Sequence, residues 1–139
     1  MEELERLRGI FSKDLFATQA AGACITQAQP RRAVCEMPIL PIHKNARGTV
    51  MGGAIFTLAD FASAVAANYG LHNQTVISLQ ADISFLSAAR GERLIAEADC
   101  VKHGRHTTCY QVSVRDELGT KVALLTMTGY TIDLQEKSL

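Results

Sequence analysis

The chain has 139 residues, the size of a single domain, and 47% of them are hydrophobic, which excludes a disordered chain. Its 14 Lys and Arg balance 14 Asp and Glu, so it has no basic excess for a phosphate backbone or an anionic lipid surface, and neither nucleic acid nor membrane is expected as a partner. The charged start MEELERLRG lacks the apolar run of a signal peptide, and a cytoplasmic protein folded as one domain over 1–139 is expected.

Leu4, Leu7, Phe11, Leu15 and Phe16 recur mainly at spacings of three and four, which predicts a helix over 2–20, filling an N-terminal segment 1–20, with Gly22 beyond its end. Strands are expected over 23–29 and 33–39 around the turn Gln29-Pro30-Arg31-Arg32. Pro38 and Pro41 close the second strand, and a loop over 41–50 leads into a helix over 53–68 with Gly70 as its C-terminal glycine. Four strands follow, over 76–86, 93–102, 107–116 and 120–133. Gly104-Arg105 reads as a two-residue turn with glycine in the first central place, a register that sets Cys100 opposite Cys109 and His103 opposite His106. Asp116 to Gly119 reads as the next hairpin turn. The last strand, KVALLTMTGYTI, is apolar on both faces, which predicts burial on both sides or a subunit contact. The class is α+β, one long central helix against a single antiparallel sheet.

Most of the chemistry lies in NARGTVMGGAIFTLADFASAVAAN, from Asn45 to Asn68. Its helix is rich in alanine, so it can lie close to a sheet, and Asp60 is its one carboxylate. An Asp in such a helix either faces water or works in a cleft as base or nucleophile. The Gly52-Gly53 break leaves N–H groups without helical partners, suited to a developing oxyanion. Asn45 adds an amide donor. Ser78, on a strand, is either an ordinary polar position or a hydroxyl that holds water. Arg90, Gly104 and Arg105 mark basic turns that are either solvated or in contact with phosphates of a nucleotide-bearing substrate.

The four cysteines read as reduced, mostly buried thiols. Cys100, His103, His106 and Cys109 have a spacing that suggests zinc, but on strands residues three apart face opposite ways, so no metal and no other cofactor is expected.

The segment N-x-x-G-x-x-M-G-G-A-I-F-T-L-A-D, from Asn45 to Asp60, resembles the hotdog-fold thioesterases of the PaaI-like, phenylacetate-pathway branch. Weaker matches are the strand Ser78–Leu86 and the turns at Ser87–Gly91 and Lys102–Arg105, and the similarity runs from about Phe11 to Thr131. The resemblance implies a hotdog fold, a sheet wrapped around the long helix. It also implies an acyl-CoA substrate and homodimers assembled into homotetramers, with the site at the dimer interface. By position, Asp60 would be the catalytic carboxylate. The Gly52 N–H and Asn45 amide would polarise the thioester carbonyl, and Ser78 would place water. Gly53, Met51, Phe56, Arg90, Gly104 and Arg105 would line the substrate.

The motif carries Met51 where the family has histidine, and methionine donates no strong hydrogen bond. A retained esterase, weakened or re-specialised, is expected, with a non-catalytic acyl-CoA-binding sensor as the alternative. His43 is the imidazole nearest to Met51 along the chain. A hydratase on the same fold ranks last, because the helix has no histidine.

Overall fold

The computed structural model describes residues 2–134. Helix α1 (Glu2–Phe11) precedes the strands β1 (Cys24–Gln29) and β2 (Arg32–Pro38), and α2 (Gly52–Asn68) follows. The remaining strands are β3 (Gln74–Phe85), β4 (Arg93–His103), β5 (Thr107–Asp116) and β6 (Lys121–Asp133). All neighbours pair antiparallel in one six-stranded sheet, in the order β1-β2-β4-β5-β6-β3. The expected strands and central helix are present, the strand over 107–116 with both ends as expected and no other end displaced by more than two residues.

The path of α2 follows from its small residues. Ala54, Ala59, Ala62, Ala66 and Ala67 are buried with Leu58 and Val65. That thin face lets the helix sit down on Ala96, Ala98, Val112 and Val114 of the sheet. Tyr69 ends the helix, and Gly70 takes the left-handed conformation (φ 76°) that a C-terminal glycine supplies without strain.

The N-terminal helix expected over 2–20 breaks after Phe11. Ser12, Lys13 and Asp14 turn the chain, with the Ser12 hydroxyl donating to Gly9 O at 2.7 Å, and Phe16–Ala20 form a separate wide turn closed by Ala21 N–H on Phe16 O. The break has a packing reason. Phe11 meets the Phe61 ring edge-on at 5.6 Å, while Ala21 and Ala23 must also be buried; a straight helix cannot lay both stretches on α2. Leu15 and Phe16, part of the spacing that predicts the helix, are 57% and 71% exposed. Glu3 anchors the start: it holds Arg6 and accepts the Gly70 N–H at 2.6 Å. The Arg6 contact leads in pulling its carboxyl down to about 2.

The β4–β5 register also differs from expectation. A bulge lies between Cys100 and Lys102, and Gly104 N–H donates to Thr107 O at 2.8 Å, so Arg105 and His106 are the central turn residues. Cys100 faces Tyr110, Lys102 faces Cys109 and His103 faces Thr108, which overturns both the Cys100–Cys109 and the His103–His106 pairings. Side-chain satisfaction decides this register. The buried Tyr110 hydroxyl lies 2.8 Å from His103 Nδ1, and the His106 ring stacks on Tyr130. All four thiols are free, but only Cys35 is buried; Cys24 is exposed. Among the described residues no three His, Cys, Asp or Glu side chains converge, and no helix is long and apolar enough to cross a membrane.

The expected 116–119 turn is present and carries more than a hairpin. Asp116 is fully buried, and its oxygens accept the backbone N–H groups of Arg90, Gly91, Leu118 and Thr120. Burial alone would raise this carboxyl, but the donated N–H groups outweigh it and hold it well below the usual carboxylate range. Its stabilising contribution is therefore present above the ordinary aspartate range and is lost as pH falls through the lowered value. Asp116→Asn turns an amide donor toward backbone donors. It should cost about 1–3 kcal/mol at neutral pH and flatten the decline in stability below about pH 4, as read by urea unfolding across pH.

Candidate active site

On the side of α2 turned away from the sheet, Gly53, Phe56, Thr57, Asp60 and Ala64 form one stripe at helical spacing, each exposed or half-buried. Asp60 sits in a cleft of about 370 Å³ with Phe56, Thr57 and Phe61 on its own helix, and Asp14 and Phe16 opposite. Among the described residues no donor reaches its carboxylate. Burial first, and then the negative charge of Asp14, raises its proton affinity above the ordinary aspartate value. A carboxylate kept this way is a better proton acceptor near neutrality. Sequence reasoning missed Asp14 because only the break after Phe11 brings it over α2.

The helix start is open. Met51 is the N-cap, extended and without a side-chain acceptor, and neither the Gly52 nor the Gly53 N–H has an acceptor among the described residues. Gly52 is tight for a reason: a Cβ there would come within 2.9 Å of the Phe85 ring. Asn45 lies in the preceding loop, where its oxygen accepts the Arg47 and Thr49 N–H groups and its amide donates to Thr49 Oγ1 at 3.0 Å. Its side chain thus holds the loop together and keeps one N–H unused. His43 does not replace the motif histidine. It is buried, with Nδ1 accepting the Leu40 N–H at 3.0 Å and Nε2 facing Ala21 O at 2.6 Å, so its ring latches the loop to the N-terminal segment.

Ser78 lies on β3 where the register shifts, opposite Gly129. It borders a small cavity of about 20 Å³ shared with Ser63 and Thr108, room for one water. The Ser63 hydroxyl donates to Asp60 O at 2.8 Å, so this cavity backs onto the Asp60 turn. The two basic turns part company. Arg90 lies beyond the end of β3, the end beside which Gly52 sits, whereas Gly104 and Arg105 lie at the far end of β4, roughly 35 Å of strand away. Within one chain they cannot grip the same phosphate.

β3 is an edge strand of 12 residues, none of them buried, and it leaves Ile77, Leu79 and Phe85 exposed by 42%, 60% and 55%. The neighbouring β6 alternates, and its outward side keeps Leu124, Tyr130 and Ile132 partly open, so the last strand is not buried on both faces. An edge this long and apolar is ordinarily covered.

The sequence pattern of the thioesterase superfamily matches residues 47–123, more than half of the chain. The chain belongs to the thioesterase superfamily. This thioesterase is a thioester hydrolase, and its sheet wrapped around α2 is the hotdog fold. It is 31% identical to a putative esterase from Archaeoglobus fulgidus over 94% of this chain and 84% of that protein. It is 30% identical to mouse (Mus musculus) acyl-coenzyme A thioesterase 13 over 58% of this chain and 59% of that one. Among solved structures, the phenylacetic acid degradation protein PaaI from Thermus thermophilus superposes with a TM-score of 0.74 and 30% identity, covering 81% of this chain and 96% of that one.

Asp14 offers a direct test of the cleft's electrostatics. Asp14→Asn removes the nearby negative charge, so the Asp60 carboxyl should ionise at lower pH than in the parent, as followed by carboxyl-carbon NMR. An unmoved midpoint would mean that burial alone sets it.

Proposed function

We propose that the thioesterase hydrolyses acyl-CoA thioesters at sites built by two copies of the chain. The observation that carries this reading is the eight-residue offset between Gly52 and Asp60 on one helix, about 12 Å of axial rise. A single thioester carbonyl cannot touch both in the same chain. Two copies joined through their β3 edges by a twofold axis run their helices in opposite directions. The helix start of one then meets Asp60 of the other. The same pairing brings the Arg105 turn of one copy to the end where the other copy's Arg90 lies, so the two basic turns can serve one CoA. Such a dimer, paired again into a tetramer, also covers the apolar β3 edge.

The chemistry follows from the groups. Asp60 takes a proton from a water that attacks the carbonyl carbon, or attacks it directly to give an anhydride that water then opens. Ser78, with Ser63 and Thr108 around the small cavity, supplies the place for that water. The oxygen's growing negative charge falls on the Gly52 N–H and the free Asn45 amide hydrogen. Gly53, Met51 and Phe56 border the acyl group. The C–S bond breaks and the CoA sulfur leaves as thiolate, taking up a proton.

Met51 supports a second reading, a module that binds acyl-CoA without turnover. It is 45% exposed beside the open N–H groups and brings a thioether in place of a ring that could donate or carry charge.

Asp60→Ala and Asp60→Asn should lower kcat with aryl- and medium-chain acyl-CoA by about 10²–10⁴. Undiminished hydrolysis would remove Asp60 from the reaction, and tight acyl-CoA binding with no thiol released by the parent would select the sensor. Sedimentation should give a dimer or a multiple of it; an active monomer would overturn the two-copy site.

A further inference from the structure

Alongside the Asp60 cleft lies a second one, of about 360 Å³, between the 16–21 segment and the start of α2. Phe16 and Thr57 border both, so the second adjoins the first as an apolar trench of its own, without the Asp14 and Asp60 carboxylates. The second cleft is walled by Phe16, Ala20, Ile42, Met51 and Ala54 and reaches Gly53 at the open helix start. Phe16 and Ile42 are each 71% exposed, standing as two apolar posts over the opening.

The two polar side chains in this wall are already occupied. Thr57 Oγ1 donates to Gly53 O at 2.8 Å, and both His43 nitrogens are engaged by Leu40 and Ala21. No charged side chain lines it. A hydroxyl or carboxylate placed there would lose its water and find no partner. A hydrocarbon chain meets only apolar surface, and its carbonyl end emerges beside the Gly52 and Gly53 N–H groups.

We infer that this trench is the acyl subsite and that it selects unsubstituted hydrocarbon acyl groups, with the 16–21 segment, held by the His43 latch, as the wall that sets their size. The inference rests on the thioesterase reading above and deepens it. Phe16 is then a specificity-determining residue and not part of the core.

The test reads binding, so it does not depend on turnover. Affinities for S-octyl-CoA, a thioether that cannot be hydrolysed, and for CoA are measured by calorimetry on the full chain, on Ala20→Leu, which fills the trench from an exposed position, and on Phe16→Ala. S-octyl-CoA should bind more tightly than CoA, and each substitution should cut that ratio about tenfold. An analogue with a carboxylate at the end of the alkyl chain should lose most of the advantage. Equal affinities for S-octyl-CoA and CoA, or a ratio that both variants leave unchanged, would overturn the inference. So would a variant that alters only the sedimenting species, which would make the trench a contact between copies. Octanoyl-CoA assayed in parallel separates the two claims: tight binding without thiol release defeats the hydrolytic reading and leaves the subsite standing.

Discussion

The close seating of α2 on the sheet is the constraint on which the rest depends. Ala59, Ala62, Ala66 and Leu58 lie against Ala96, Ala98 and Val112 with essentially no exposure. Small residues on both sides bring helix and sheet backbones together, and a bulkier side chain at any of these places would lift the helix. Because the buried face is fixed, the opposite face is fixed too, and that stripe holds Gly53, Thr57 and Asp60. The helix start must then fall at the end of β3, where Gly52 accommodates the Phe85 ring. Scaffold and chemistry are thus two sides of one helix.

The N-terminal segment completes the outer side. Glu3 ties α1 to Gly70 beyond the helix end, Phe11 packs on Phe61, and the chain then breaks to pass over Thr57 and Asp60. Asp14 and Phe16 arrive on the same short piece, one contributing charge and the other apolar surface. The loop before α2 is tied down from the opposite side by His43 and by the Asn45 side chain, so the wall and the helix start keep a set relation. Asp116 does the same for the Arg90 loop, gathering two backbone N–H groups from it onto one buried carboxylate.

Much of the fold was legible because local signals and tertiary demands agree. Alternation marked the strands, the alanine-rich run marked the central helix, and Gly70 and Gly119 sit at positive φ where turns were expected. Reading failed where a side chain's partner lies beyond the few residues that a local preference weighs. The Gly104 turn was assigned on a local glycine preference, while the hydroxyl of Tyr110 and the ring of Tyr130 decided the register. The 2–20 helix was assigned on spacing, but Leu15 and Phe16 have the period of a core face and form a groove wall instead. His43 gave no sign of being a satisfied latch, since Ala21 is 22 residues away.

The Asn45 to Asp60 motif, by itself, determined the family, the central helix, the acid on it and the glycines that start it, because these are properties of residue type and short spacing. Tertiary structure alone decided which groups share a cleft. It set Asp14 across from Asp60, parted Arg90 from Arg105 and left the β3 edge bare. The physical reason is that burial, charge and strand register are sums over neighbours supplied by distant parts of the chain, and helical or strand periodicity carries no record of them.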